Sequence, residues 1–276
     1  MKTLVIVIDQ PRNLSLLKKL CENKKVNVDG LVLYKAKDPL PTPDKKLSEE
    51  LKKLWNLHFK KRYLSEKKFF GLDKSITQKI EKKIFVNNVD EFRSKKVFDF
   101  IKSIKAEACF VAGTPIIKDP IFSILPENKI NLHLGLIPHY KGTITMFWPL
   151  YFLEPSMAGT TYHIMDKLVD TGEIIHQNVP NLTHGDGMHD VACKAVVAAV
   201  NDLDIVVDEI MKRIKHNIKP NKDISLRKKG RLFKDSDWKP EMLKKIYNTY
   251  DDKIVDLYLN NKIKCLKPNL IKIKQV

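Results

Sequence analysis

The hydrophobic pattern of the first 134 residues alternates between strand-like runs and helix-like spacing. Residues 4–8 form a continuous apolar run, which is typical of a strand buried on both faces of a parallel sheet. Leu14, Leu17 and Leu20 follow with helical spacing. The strand pattern then recurs at four places, residues 26–34, 84–86, 108–111 and 130–134. This order predicts an α/β fold with an open, Rossmann-like, mostly parallel sheet.

Beyond residue 134 the pattern predicts two more strands, a long helix and a short tail. Strands are expected at 160–165 and 173–177, on either side of a loop. Apolar residues from 188 to 210 keep a helical period for over five turns, which predicts one helix that closes the main domain. In the tail, short helices are expected to begin at Pro240 and near Ile254.

Positive charge is concentrated in two segments of the chain. The net charge is +17, and residues 44–83 carry 13 basic and 6 acidic side chains while residues 212–276 carry 19 and 7. Apolar residues in the first segment have helical spacing, which indicates a charged helical insertion lying over the sheet. The chain is therefore divided into a main domain, residues 1–211, that includes the insertion, and a smaller basic C-terminal extension, residues 212–276.

Composition argues against several functional classes. Only six of the 50 basic residues are arginine, the better reader of phosphates and base edges, so a lysine-biased surface is favoured over nucleic-acid binding. The first strand-to-helix turn, residues 8–11, has no glycine-rich phosphate loop. No apolar run approaches the roughly 18 residues of a membrane span. Four scattered cysteines without zinc-ligand spacing favour free thiols, so we expect a cytoplasmic protein without a metal.

Polar residues suited to catalysis occur in two short segments. Residues 131–142 read Asn-Leu-His-Leu-Gly-Leu-Ile-Pro-His-Tyr-Lys-Gly, and residues 165–175 read Met-Asp-Lys-Leu-Val-Asp-Thr-Gly-Glu-Ile-Ile. Asn131 and His133 are two apart in a strand, so they face the same side near its carboxyl end, where open α/β sheets bind ligands. Asp170 is placed in the loop of the second segment. Five further histidines are expected to be structural or at the surface: His139, His163, His176, His184 and His189.

These two segments resemble the 10-formyltetrahydrofolate-dependent formyltransferase family, whose members carry Asn-x-His, then a Leu-Pro-x-x-x-Gly turn and later an Asp-x-Gly loop. The resemblance implies the formyltransferase fold and a catalytic trio of Asn131, His133 and Asp170. In this interpretation Asn131 and a protonated His133 stabilise an oxyanion, while Asp170 orients His133 and raises its pKa. The folate donor is expected to contact Gly113, Leu168, Val169, Gly172 and Ile174.

The resemblance also suggests which amine accepts the formyl group. Residues 145–150, Thr-Met-Phe-Trp-Pro-Leu, are similar to family members that act on nucleotide-linked amino sugars for surface polysaccharides. The acceptor is expected to contact Tyr140, Lys141, Gly142 and Trp148, with its diphosphate near Arg227 and Arg231. Gly135 stands where members often carry serine, which is expected to leave room beside His133 for a bulkier acceptor.

Three alternatives stay open from the sequence. A methionyl-tRNA formyltransferase is disfavoured because the tail is short and its pattern is mostly helical, unlike the β-barrel that such an enzyme carries. A glycinamide ribonucleotide formyltransferase is disfavoured because it would end near the long helix and lack the insertion. The third alternative is an inactive relative that binds RNA. A small-molecule substrate and no membrane partner are expected, and a homodimer is compatible with the sequence.

Overall fold

The computed structural model describes residues 1–221 and 229–273. Its strands are β1 (Lys2–Ile8), β2 (Asn27–Tyr34), β3 (Lys83–Val86), β4 (Ala108–Ala112), β5 (Asn128–His133), β6 (Tyr140–Gly142), β7 (Thr160–Ile164), β8 (Ile174–Asn178) and β9 (Arg231–Phe233). Seven of them form one sheet in the order β3-β2-β1-β4-β5-β7-β8. The first five strands of the chain pair in parallel, and β7 runs antiparallel to both β5 and β8. The predicted mostly parallel α/β sheet is confirmed.

The helices are α1 (Pro11–Glu22), α2 (Glu49–Phe70), α3 (Val89–Phe92), α4 (Lys95–Ile104), α5 (Ile121–Ile124), α6 (Trp148–Tyr151), α7 (Met188–Asn201), α8 (Leu203–Lys215) and α9 (Ile254–Leu259). A 3-10 turn at Pro240–Met242 and α9 begin where the sequence predicted short tail helices. Across residues 1–221 and 229–273, no helix combines the length and the apolar character that crossing a bilayer requires.

The central sheet is buried on both faces, as the continuous apolar run of β1 requires. Val5 and Val7 point into a cluster with residues of α1 and α8. Leu4 and Ile6 point to the opposite face, into a cluster with residues of α4. Alternate residues of one strand thus supply two separate cores, because successive side chains of a strand point to opposite faces.

The prediction of one helix over residues 188–210 is wrong, because the helix is interrupted at Asp202, between α7 and α8. Asn201 and Asp202 at the break are weak helix formers. The Asp202 carboxylate lies 2.9 Å from Nε2 of His176 on β8, so the break also holds a polar contact to the sheet. Apolar periodicity continues through the break because both helices face the same core.

The charged insertion is a helix, as predicted, but it packs mainly on α7 and α1 rather than directly on the sheet. Ser48 caps α2, since its hydroxyl accepts a hydrogen bond from the Leu51 N–H. On its buried side α2 shares a hydrophobic cluster with α6 and the tail. Trp55 of α2 and Trp238 of the tail lie with ring centroids 5.8 Å apart. The insertion and the extension therefore pack together, while the domain boundary at residue 211 stays a prediction.

The shared core predicts a clear difference between two leucine substitutions in the tail. Leu243 is fully buried, so Leu243→Ala should lower the free energy of unfolding by about 2–5 kcal/mol. Leu266 is 78% exposed, so Leu266→Ala should change it by no more than about 0.5 kcal/mol. Urea unfolding of both variants checks this. A small loss in both would show that the tail is not part of the core.

Candidate active site

Three strand positions and one loop residue bring the candidate catalytic side chains together. Asn131 and His133 lie on the same face of β5, as their spacing predicted. On the neighbouring strand β7, His163 pairs directly with Asn131. Asp170 comes from the loop between β7 and β8 and has a left-handed backbone with φ 51°, a conformation that aspartate tolerates better than most residues. The trio thus becomes a group of four, with His163 as the added member.

The Asp170 carboxylate lies between the two histidines. Its Oδ2 atom is 3.4 Å from His133 Nδ1 and accepts a 2.7 Å hydrogen bond from the Gly142 N–H. Its Oδ1 atom is 3.5 Å from His163 Nε2. His133, His163 and Asp170 are 6%, 3% and 8% exposed, so this contact is almost closed to solvent.

His163 fixes the orientation of Asn131. His163 Nδ1 lies 3.1 Å from the carbonyl oxygen of Ile164, and a carbonyl only accepts, so Nδ1 carries a proton. In the neutral ring, Nε2 then accepts a hydrogen bond from the Asn131 amide at 3.1 Å. His163 was assigned to the structural or surface histidines from sequence, whereas the structure places it inside the candidate site.

Burial and neighbouring groups shift the pKa values of His133 and Asp170. Burial lowers the pKa of His133, and this outweighs the opposing effects of Asp170 and of the Tyr140 carbonyl. The net direction is therefore opposite to the one expected from sequence, although Asp170 does raise the pKa as predicted, and burial favours the neutral imidazole. Burial also disfavours ionised Asp170, but the two histidines and the Gly142 N–H together lower its pKa to about 2. Asp170 therefore carries a negative charge, and its attraction to either imidazole is strongest when that imidazole is protonated.

The neutral His133 ring has a defined donor and a defined acceptor. Nε2 lies 2.8 Å from the Tyr140 carbonyl oxygen and must donate to it. Nδ1 is then the atom that can take up a proton, and it faces Asp170. An imidazolium formed there is stabilised by the adjacent carboxylate, which is the arrangement of a general base paired with a carboxylate.

Gly135 makes the His133–Tyr140 contact possible. A Cβ at this position would lie 2.5 Å from the Tyr140 carbonyl oxygen and 2.6 Å from His133 Nε2. The expectation that Gly135 leaves room for a bulkier acceptor is wrong, because main chain and imidazole already fill that space.

The residues expected to contact folate fall into two groups. Leu168 is 54% exposed, Val169 is partly buried, and Gly113 is exposed after β4 with φ 71°. Gly172 and Ile174 are buried instead. A Cβ on Gly172 would lie 1.7 Å from the Ile164 carbonyl oxygen, so this glycine allows the loop to pack closely on β7. The first group borders solvent, and the second shapes the loop.

Two loops at the carboxyl edge of the sheet present apolar side chains to solvent. Ile116, after β4, is 56% exposed, and Leu168 stands on the loop that carries Asp170. Lys167 and Asp119 join these loops by an ion pair of 3.8 Å. An exposed apolar surface thus borders the buried polar group.

The residues expected to contact the acceptor are mostly buried. Trp148 is 2% exposed, stacks on Phe233 at 4.6 Å between centroids, and its Nε1 donates to the Thr143 carbonyl. Tyr140 and Lys141 are 4% and 5% exposed, and the Gly142 N–H is used by Asp170. In this conformation Trp148 is a core residue. Arg231 is exposed on β9, and Arg227 lies outside the described residues.

Comparison with known proteins gives one family match over most of the chain. A family model described as formyl transferase matches residues 1–202. The methionyl-tRNA formyltransferase of Azobacteroides pseudotrichonymphae genomovar. CFP2 is 29% identical over 115 residues, which cover 38% of this chain and 35% of that protein. In seven curated relatives, this one included, the matched segments span 28 to 40% of their lengths.

Solved structures share the fold at low sequence identity. The phosphoribosylglycinamide formyltransferase of Anaplasma phagocytophilum has a TM-score of 0.54 at 17% identity, covering 76% of this chain and 87% of that one. A sugar N-formyltransferase of Shewanella sp FDAARGOS_354 has a TM-score of 0.52 at 18% identity, covering 86% of this chain and 78% of that one. Both comparisons support the sheet and its topology.

The position of Asp170 predicts the sign of a pKa change. Asp170→Asn removes the negative charge that favours protonated His133, so the pKa of His133 should fall further. An NMR titration of the imidazole measures it. Asp119→Asn is the control, because Asp119 pairs with Lys167 at the surface and should leave the His133 pKa unchanged. A rise of that pKa in Asp170→Asn would contradict the assigned contact.

The crowding at Gly135 predicts a local disruption. Gly135→Ala should break the hydrogen bond from His133 to Tyr140 and lower the free energy of unfolding by about 1–3 kcal/mol, since the methyl group overpacks the site. In Gly185→Ala the new methyl meets open space, although the backbone there is left-handed. The imidazole NMR signals of His133 should therefore change only in Gly135→Ala. Unchanged signals in both variants would refute this packing.

Proposed function

The chain belongs to the formyl transferase family, and on this premise we propose that it moves the formyl group of 10-formyltetrahydrofolate onto an amine. One observation carries the proposal: at the carboxyl edge of the sheet His133 lies 3.4 Å from Asp170, and Asn131 contacts His163, which lies 3.5 Å from the other oxygen of Asp170. This is the edge where open α/β sheets bind their ligands.

The residues around this edge fit a folate. When bound, 10-formyltetrahydrofolate supplies the activated formyl group. Ile116 and Leu168 offer exposed apolar side chains to a flat ring, and the loop that carries Asp170 offers main-chain groups beside them. Gly113 adds an exposed position without a side chain next to the same edge. Apolar walls with a few convergent polar groups are typical of small-molecule sites.

Asn131 is assigned to stabilise the developing negative charge on the formyl oxygen. One N–H of its amide is held by His163, which leaves the second for the substrate. A positioned donor of this kind typically contributes on the order of 3 kcal/mol to transition-state stabilisation. Because His163 is itself fixed by the Ile164 carbonyl, the amide is oriented before the substrate binds.

His133 is assigned as the general base. Burial lowers its pKa and favours the neutral imidazole, which can accept the proton that the attacking amine loses. Asp170 stabilises the imidazolium that results, and the same proton then becomes available to the departing nitrogen. The sequence had suggested a protonated His133 that donates to the oxyanion. The proposed role of His133 is that of a base instead.

For the acceptor we propose the amine of a nucleotide-linked amino sugar, formylated in the cytoplasm for a surface polysaccharide. The segment 145–150 supports this choice through its likeness to sugar-modifying family members. Within the described residues the tail contains one strand, β9, of three residues, so they do not build a β-barrel for a tRNA. Four free cysteines suit a reducing compartment. The second candidate is methionyl-tRNA, favoured by the match to a methionyl-tRNA formyltransferase.

A substrate panel tests the activity and its acceptor together. The protein is incubated with 10-formyltetrahydrofolate and, in separate reactions, UDP-, dTDP- and GDP-linked amino-deoxyhexoses, glycinamide ribonucleotide or methionyl-tRNA, with products read by mass spectrometry. A formylated sugar nucleotide is expected. His133→Ala should lower kcat by about 100-fold because the general base is lost. Formylation of methionyl-tRNA alone would overturn the acceptor assignment.

His184→Ala provides the matched control. The His184 side chain is 64% exposed and pairs with Asp256 at the surface, so its loss should leave the rate unchanged. Equal rates for wild type, His133→Ala and His184→Ala would refute the role of His133.

A further inference from the structure

A row of three polar side chains runs across the sheet from the candidate site to its outer edge. His133 on β5 pairs directly with Thr161 on β7, and Thr161 pairs directly with Gln177 on β8. Directly paired residues of antiparallel strands project their side chains from the same face. Thr161 is fully buried, and Gln177 is 3% exposed. The proposed mechanism uses His133 and leaves the other two side chains of the row without a role.

Gln177 uses both ends of its amide. Its Nε2 donates to the Ile137 carbonyl at 2.7 Å and lies 3.2 Å from the Thr161 hydroxyl. Its Oε1 accepts a 3.0 Å hydrogen bond from the Ile271 N–H. The amide has one orientation, because a reversed amide would place its oxygen against the Ile137 carbonyl and its N–H groups against the Ile271 N–H. One side chain thus joins the turn after β5 to the C-terminal extension.

Thr161 holds the same turn from the neighbouring strand. Its hydroxyl donates to the Gly135 carbonyl at 2.7 Å and accepts a 3.1 Å hydrogen bond from the Ile137 N–H. The turn leads directly from His133 to Tyr140, whose carbonyl accepts the hydrogen bond from His133 Nε2. The backbone between the base and its hydrogen-bond acceptor is therefore fixed by buried side chains of β7 and β8.

Residues 271–273 of the extension lie along the outer edge of β8, which is the last strand of the sheet. The Gln177 N–H donates to the Ile271 carbonyl at 2.8 Å, and the Ile273 N–H donates to His176 Nδ1 at 3.2 Å. Main-chain groups at the edge of a sheet need such partners. The segment that covers this edge therefore contacts the same residue, Gln177, that supports the turn beside the candidate site.

We propose that Gln177 is a positioning residue for formyl transfer, which couples the docking of residues 271–273 to the orientation of His133. The hydrogen bond to the Ile137 carbonyl fixes the turn, within which the Tyr140 N–H donates to the Leu136 carbonyl at 2.9 Å. The Tyr140 carbonyl then holds a proton of His133 on Nε2, so that Nδ1 is the atom that takes up the proton of the amine. The inference rests on the proposed function, because it assigns to Gln177 an effect on the general base of that reaction.

Replacing Gln177 with methionine tests this role with little change in side-chain volume. Gln177→Met deprives the Ile137 carbonyl of its donor, so the turn and the Tyr140 carbonyl should lose their fixed position. His133 should then carry its proton partly on Nδ1, where Asp170 accepts it. Nitrogen-15 NMR of the imidazole should show a shift toward this second tautomer. The kcat should fall by about tenfold through misplacement of the base, with the KM for the folate donor unchanged.

Gln78→Met is the matched control, because Gln78 is exposed in the segment before β3. It should leave the His133 signals and kcat unchanged, and urea unfolding verifies that each variant is folded. A folded but less stable Gln177→Met protein with wild-type His133 signals and wild-type kcat would overturn the inference, because Gln177 would then contribute to stability alone.

Two substitutions of Ile271 test the link to the C-terminal extension, and they decide the inference if Gln177→Met does not fold. Ile271→Pro removes the N–H that donates to Gln177 Oε1, whereas Ile271→Val keeps it. The Ile271 side chain is 46% exposed, so its own loss should matter little. The His133 signals should move in Ile271→Pro in the same direction as in Gln177→Met, and stay in place in Ile271→Val. Identical spectra for the two Ile271 variants would contradict the coupling.

The NMR signals require no substrate, so they separate the inference from the proposed function. A shift of the His133 tautomer in a protein that formylates none of the acceptors in the panel would support the coupling and overturn the proposed function. Formyl transfer with the same kcat and the same His133 signals in wild type, Gln177→Met and Ile271→Pro would support the proposed function and overturn the inference.

Discussion

A buried carboxylate organises the candidate site. Asp170 is 8% exposed, and a buried negative charge is costly unless nearby groups compensate for it. The N–H of Gly142 donates to it, and a protonated His133 or His163, one beside each carboxylate oxygen, offsets the rest of the cost, so the pKa of Asp170 is lowered to about 2. The positions of His133, His163 and β6 are therefore coupled through one side chain.

Strand β6 connects the candidate site to the C-terminal extension. One of its edges faces the site, where the Tyr140 carbonyl accepts from His133 and the Gly142 N–H donates to Asp170. Its other edge pairs in parallel with β9. The extension thus supports the strand that orients the catalytic group, and through its shared core with α2 it also joins the insertion to the same unit.

The sequence predicted the sheet and two strand residues of the site because both depend on short-range patterns. A buried parallel strand requires a continuous apolar run, and Asn131 and His133 share a face through the two-residue period of any strand. The role of His163 depends on the register between β5 and β7, which no local pattern specifies. The available signal was the antiparallel pairing of the two predicted strands in a register that places their histidines on the same face of the sheet.

Burial explains the remaining differences. The pKa of His133 follows from desolvation, which sequence spacing does not report, so only the effect of Asp170 was predicted correctly. Trp148 follows the turn at Gly142, so the sequence predicted that it would contact the acceptor. In the structure, Phe233 from the distant tail stacks on its ring. The break at Asp202 was hidden because apolar periodicity continues on both sides of it.

The central claim is that His133 and Asp170 act as one unit in formyl transfer. Single-turnover rates of His133→Ala, Asp170→Ala and the double variant, each with saturating donor and acceptor, test it most directly. Groups that act as a unit show strongly non-additive losses, so the double variant should be about as slow as His133→Ala alone. A double variant whose loss equals the product of the two single losses would show independent roles and contradict the account.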